Sequence, residues 1–286
     1  MAAAAAYLVC SAVAFGLLLP SVPSDPTASD EPLSTNQAFL LVAGLTTAVM
    51  AWLILRSRWR GWPLAGTMIA VFYGVQTFMP QVESLIFQFS PGFARHVPIG
   101  IVPRLMAAGL VLACLWIPVT VRILGRWKAD APAEASSGPA MPWVQGSWKL
   151  LLASAAYVAV YFTFGYYVAW RNPAITAYYQ GTDPGAFWLS LGNMLRETPW
   201  LPLVQALRGL LWTGLGLTVV RAMRGSVVEK ALAVGALFAV VMSAGLLLPN
   251  PYMPYDVRMI HLVETASSDF LFGCLLVWLF RPKTAG

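Results

Sequence analysis

Charge is scarce in this chain. Asp, Glu, Lys and Arg make up 10% of its 286 residues, against 58% hydrophobic residues and a mean hydropathy of +0.68. A soluble domain carries about 25% charged residues, so a chain this apolar has too little polar surface to face water all round. Cysteine is scarce too. Cys10, Cys114 and Cys274 each lie in an apolar run, and no Cys-x-x-Cys occurs. An odd number at such spacing excludes a disulfide framework and a zinc–thiolate site. The three read as small buried apolar side chains. Only two histidines exist, His96 and His261. That argues against a His-rich metalloenzyme and a bis-His haem. There is no Walker loop, Gly-x-Gly-x-x-Gly or His-Glu-x-x-His, so no nucleotide or haem motif is present. No Gly-x-Ser-x-Gly marks a nucleophile, and no arginine ladder marks a voltage sensor. The net charge is +6, but no basic run interleaves with aromatics on a soluble domain. A nucleic-acid partner is therefore not expected.

What the chain has is long apolar runs. A helix needs roughly 20 apolar residues to cross a bilayer. Eight segments qualify: 4–20, 37–55, 63–87, 99–121, 150–169, 200–220, 231–248 and 259–280. The predicted fold is an all-α polytopic transmembrane bundle of about eight helices. The connections support that count. Arg56, Arg58 and Arg60 share one connection; Arg122, Arg126, Lys128 and Lys149 the next basic one; then Arg221, Arg224 and Lys230; then Arg281 and Lys283. The alternate connections hold only Arg95, Arg171, Arg196 and Arg258, and 21–36 is acidic. The positive-inside rule makes the basic side cytoplasmic. This predicts a bacterial-type cytoplasmic membrane with both termini inside. The first segment lacks the charged start and small-x-small site of a signal peptide, so it is expected to stay as a helix.

Residues 128–148 are rich in Ala, Pro, Ser and Gly and read as a flexible linker. They divide the chain into two four-helix halves, 1–127 and 149–286. Thr182-Asp183-Pro184 predicts the start of a short interfacial helix near 184–196, with Asp183 as N-cap. Phe187, Trp188, Leu191, Met194 and Leu195 form its apolar stripe. Ala231, Gly235, Ala239 and Ser243 form a stripe of small residues that lets two helices approach closely within the bundle.

Ionisable side chains inside a membrane cost about 2.5–3.5 kcal/mol each, so they face protein, water or a partner. Glu83, Arg104, Arg208, His261, Glu264 and Asp269 are such residues. At 1.5 Å per residue, Glu264 lies roughly 9 Å below the outer surface and Asp269 about 17 Å. All six fall in the outer half or near the centre. On the last helix, Glu264 lies about 60° to one side of His261 and Asp269 about 80° to the other, with Thr265 and Ser268 between. That polar arc points into the bundle. Gln81 and Glu83 add to it, and Pro80 frees a backbone carbonyl one turn back.

Several uses compete. The leading expectation is a proton- or cation-coupled small-molecule transporter, with Glu83, His261, Glu264 and Asp269 as responsive groups, Arg104 and Arg208 as counter-charges, and Gln81 and Ser268 lining the pocket. The second is an intramembrane enzyme on lipid-linked substrates, either with a metal held by Glu83, His261 and Glu264 or with His261 as base. The third is a scaffold or assembly factor in which the charges simply pair, Glu83 with Arg104 and Glu264 or Asp269 with Arg208. The expected partners are the lipid bilayer and an ion, small molecule or lipid. The oligomeric state is not legible.

Overall fold

The structure, a computed structural model, describes residues 1–19, 31–89, 91–98, 100–128 and 143–281. Among these it is helical throughout, with one isolated β-bridge, Ser57 to Met223, and no strand. Helix α1 is Ala2–Leu18 and α2 is Thr35–Arg56. Helix α3 begins as Gly61–Tyr73, passes through a π-helical turn, Gly74–Phe78, and ends as Met79–Phe87. Helix α4 is Ile101–Ile123. Helix α5 is Trp143–Phe164, extended by a second π turn, Gly165–Trp170. Two short helices follow, α6 (Pro173–Tyr179) and α7 (Phe187–Glu197). Then come α8 (Leu201–Ala222), α9 (Val227–Leu247, with a π turn at Leu237–Val241) and α10 (Tyr255–Leu279).

Six of these are long and apolar enough to cross a membrane: α2, α4, α8, α9, α10 and the Gly146–Trp170 part of α5. The chain is therefore an integral membrane protein of the all-α, multi-pass kind. The two other predicted segments are helical as well. Ala2–Leu18 is an apolar helix of 17 residues, and α3 is broken in register by its π turn.

Local chemistry explains the ends. Ser34 and Gln37 close a capping box on α2: the Gln37 amide donates to Ser34 Oγ at 3.3 Å, and the Ser34 amide donates to Gln37 Oε1 at 2.9 Å. Ser226 caps α9 through the Glu229 amide at 3.1 Å. The π turn in α3 accommodates Pro80. The Met79 N–H donates to the Gly74 carbonyl five residues back, which shifts the ladder by one residue just before the missing donor.

Three predictions about elements change. The short helix begins at Phe187, not at 184, and its cap residue is Ala186. Asp183 spends its carboxylate on the Gly185 amide at 2.9 Å instead, and Gly185 turns left-handed at φ +64°, which breaks a helical path. The linker ends before 143, because α5 already starts there; residues 129–142, like Asp25, Asp30 and Lys283, lie outside the described residues. The cysteines are free and none is fully buried: Cys10 and Cys274 are half-buried, and Cys114 is exposed.

The core is aromatic and central. Trp116, Trp212, Phe72, Phe238 and Phe272 are fully or almost fully buried in it. Helix α1 packs on α4, α5 on α8 and α10, and α9 on α10. Tyr7 of α1 meets Trp116 edge-on at 5.0 Å, and Trp116 Nε1 donates to the Ala3 carbonyl at 2.9 Å. The small-residue stripe packs within the bundle, and the helix it meets is α10. A Cβ on Gly273 would stand 2.8 Å from the Gly235 backbone, and Cys274 Sγ reaches the Ala231 carbonyl at 3.6 Å.

Candidate functional site

Helices α3, α5, α8 and α10 bring distant charges together at the end of the bundle opposite the arginine-rich connections. Glu83 lies in the last stretch of α3, beyond the π turn. Its carboxylate pairs with Arg208 of α8 at 2.8 Å and accepts from the Tyr161 hydroxyl of α5 at 2.9 Å. Arg208 is 2% exposed. It donates to Gln205 Oε1 at 2.8 Å and lies over the Tyr157 and Tyr161 rings at 5.9 and 6.0 Å. Burial this deep is tolerable because one face of the guanidinium meets aromatic π density while its edge meets a carboxylate. Arg208 Nε and Gln205 Nε2 remain buried without an acceptor.

The polar arc of α10 points inward, as its periodicity predicts. His261, Glu264 and Thr265 are half-buried, Ser268 and Asp269 are buried, and Val263, Ser267 and Phe270 between them face outward. His261 Nδ1 and Glu264 Oε2 are 2.8 Å apart. His261 Nε2 meets the Tyr179 hydroxyl of α6 at 3.2 Å. Burial, with Tyr178, Glu83 and Glu264 nearby, pushes the Tyr179 hydroxyl well above its ordinary range, so it keeps its proton. A neutral His261 satisfies both neighbours in one tautomer: Nδ1–H donates to the Glu264 carboxylate, and Nε2 accepts from Tyr179. The backbone of α5 passes close by at its π turn. A Cβ on Gly165 would stand 3.5 Å from Glu264 Oε1.

Two neighbours join these groups into one neighbourhood. Tyr161, bound to Glu83, lies within the electrostatic reach of Glu264. Buried Asp269 lies within reach of Arg208, Glu83 and Glu264. At the mouth, an open cavity of about 390 Å³ is lined by Arg95, His96, Tyr178, Gln180 and Asp256 among others. His96 stacks on Tyr178 at 4.1 Å. Burial raises the Tyr178 hydroxyl to about 12, so it too stays protonated and donates to the Tyr252 carbonyl at 2.6 Å. Tyr178 thus faces the cavity, and its neighbour Tyr179 faces His261.

Other expected residues fall elsewhere. Arg104 is exposed and does not pair with Glu83; Arg208 takes that role, from a helix in the other half of the chain. Helical geometry sets Gln81 about 200° around α3 from Glu83, with its Oε1 buried and unpartnered. Ser268 satisfies itself on its own helix through the Thr265 carbonyl at 3.2 Å. The expected metal set of Glu83, His261 and Glu264 does not assemble. Glu83 is bound to Arg208 and Tyr161, and no three of His, Cys, Asp and Glu cluster among the described residues.

Sequence reasoning treated Arg258 as an outer-loop base. It is fully buried. It pairs with Glu31 and donates to the carbonyls of Leu248 at 2.7 Å, Leu246 at 2.9 Å and Met253 at 3.1 Å. Replacing Arg258 by Lys keeps the charge but loses the planar fork that serves several acceptors at once. The expected result is a destabilisation of about 2 kcal/mol, read as a lower midpoint of thermal unfolding in detergent. The tyrosines and Gln205 also escaped notice. Their signal was present in the spacing: Tyr157 and Tyr161 are four apart, and Gln205 and Arg208 three apart, on single helix faces.

No family model matches the chain, and neither does any curated protein or solved structure. Fold and site together define a class, a multi-pass helical membrane protein with an ionisable cluster between its helices, and the particular function has to be argued from that cluster.

Proposed function

We propose that this protein is a proton- or cation-coupled small-molecule transporter of eight spans. Helix α1 and the π-broken α3 complete the six long apolar helices, and the basic connections face the cytoplasm. Helix α7 then lies in the outer interface. Its apolar stripe supports this, since Trp188 and Leu195 of the stripe remain exposed and no residue of the helix is buried.

The observation that carries the transport reading is the unbroken chain Tyr179–His261–Glu264 set beside the Glu83–Arg208 pair and buried Asp269. An imidazole between a phenol and a carboxylate takes up a proton on one ring nitrogen as it releases one from the other. The chain starts one residue from the Arg95–Asp256 cavity, which supplies access for a polar solute. It ends beside a carboxylate and an arginine that respond to any change of charge. Below them, Phe272, Phe238 and Trp212 close the bundle with apolar side chains.

Reconstitution into vesicles with a trapped pH dye tests this reading. Pooled amino acids, amines and short organic acids are added outside, and proton movement is followed. Glu264→Gln and His261→Ala are expected to abolish solute-driven proton movement while leaving the protein folded. If both variants behave as the unmodified protein does, the reading is wrong.

One observation favours a second reading. The His261–Glu264 bond is also how a general base is oriented, and an enzyme acting on a lipid-linked substrate at this end of the bundle would use it. Such an enzyme releases a lipid product in the absence of any pH gradient.

A further inference from the structure

One buried acid in the cluster has no partner. Asp269 lies on the inward face of α10 and is 6% exposed. No hydrogen bond and no ion pair reaches its carboxyl group from any described residue. Its charged neighbours are already engaged. Arg208 gives one terminal nitrogen to Glu83 and the other to Gln205, each at 2.8 Å, and Glu264 is held by His261 at 2.8 Å. Asp269 lies within the field of Arg208, Glu83 and Glu264 but bonds to none of them. The hydroxyl groups beside it avoid this state. Thr265 donates to the His261 carbonyl at 2.6 Å, and Ser268 donates to the Thr265 carbonyl at 3.2 Å. A carboxylate has no hydrogen to give its own helix.

Neither protonation state satisfies the group. An ionised Asp269 lacks a donor, and a protonated one lacks an acceptor for its O–H. Burial without a partner is unfavourable in both cases. A small group can still reach it, because the polar atoms that packing seals here without a partner belong to Gln205 and Arg208, not to Asp269. The surroundings select the sign of that group. Half-buried Glu83 and Glu264 precede buried Asp269, which lies five residues, about 7.5 Å, deeper along α10 than Glu264. Carboxylates set in a low-dielectric wall concentrate cations and turn anions away. Aromatic rings complete the wall. Tyr157 lies in the field of Asp269 and meets Phe272, one turn further along α10, edge-on at 5.1 Å. Such rings suit an ammonium group.

We propose that Asp269 is the seat of a monovalent cation, and that this cation is the ammonium group of a small amine. The inference rests on the transport reading and names its substrate class. The amine enters past Glu83 and Glu264, and its ammonium group donates to the Asp269 carboxylate beside the Tyr157 and Phe272 rings. A charge-assisted bond of this kind supplies what the empty carboxylate lacks.

Binding is measured apart from transport. The full chain in detergent is titrated at fixed ionic strength with propylamine, propanol, propionate and sodium chloride, and the unfolding temperature and the heat of binding are followed. Saturable stabilisation by propylamine is expected, with none from propanol or propionate. Asp269→Asn should weaken it by roughly tenfold or more, and Asp269→Glu should weaken it less. Without ligand, Asp269→Asn should melt no lower than the unmodified protein, because it removes a charge that nothing compensates. If that variant does not fold, the comparison of propylamine with propanol and propionate on the unmodified protein still decides. Stabilisation by sodium in place of propylamine, lost in Asp269→Asn, supports the cation seat and assigns it to a coupling ion. The proposal is overturned if neither cation stabilises more than propanol does, or if Asp269→Asn binds as tightly as the unmodified protein. In vesicles the two readings separate. Propylamine binding that needs Asp269, without any solute-driven proton movement, supports the seat and overturns the transport reading. Solute-driven proton movement that Glu264→Gln abolishes and Asp269→Asn leaves unchanged overturns the seat and supports transport.

Discussion

Replacing Arg208 by Gln is expected to destabilise the protein by about 3 kcal/mol, the lower end of the cost of breaking a buried ion pair. Arg208 is almost fully buried, but the Glu83 side chain retains 28% exposure, so solvent relieves part of the stranded charge. The double variant Glu83→Gln/Arg208→Gln should recover most of that loss, because the charges leave together. Denaturant unfolding in detergent micelles reads both. If the single and double variants are equally unstable, Arg208 stabilises by packing over Tyr157 and Tyr161 and not by pairing. The exchanged pair Glu83→Arg/Arg208→Glu separates a pocket from a girder. A scaffold keeps its function after the exchange. A transporter loses it, because the arginine no longer lies over the two tyrosines or reaches Gln205.

The larger structural effect is expected at Gly273. An added methyl would lie 2.8 Å from the Gly235 Cα and amide nitrogen and 3.0 Å from the Val234 carbonyl carbon. These are backbone atoms of α9, held by their own helix, and they have no rotamer to change. Gly273→Val is expected to cost about 4 kcal/mol or more, enough to prevent accumulation of folded protein. Gly235→Ala is a control on the same contact. Its methyl meets side chains, Phe270 at 3.0 Å and Cys274 at 3.1 Å, and these can rotate. A cost of about 1 kcal/mol is expected there. Equal loss in the two variants would show that α9 and α10 are not in backbone contact.

Much of the architecture was written in composition and periodicity. Long apolar runs dictate helices whatever their neighbours do, because lipid offers a backbone no other partner for its N–H and C=O groups. The inward arc of α10 was legible for a similar reason: His261, Glu264, Thr265, Ser268 and Asp269 share one face of a helix whose other faces are apolar, and only protein or water can receive them. The small stripe of α9 announced a close approach because nothing else profits from a side chain's absence.

Pairing was not legible. Glu83 had two candidate arginines, and the spacing of residues along separate helices says nothing about which helix stands beside which. Helix α8 stands beside α3, so Arg208 meets Glu83 while Arg104 stays exposed. The same limit hid Tyr179, which reaches His261 from a short helix in another part of the chain, and Arg258, whose burial depends on four carbonyl and carboxylate oxygens gathered from three segments. Sequence alone determined which residues must leave lipid, since that depends on the cost of one side chain in one solvent. Tertiary structure decided whom they meet, since a charge–charge contact a few ångströms long depends on helices brought together from opposite ends of the chain.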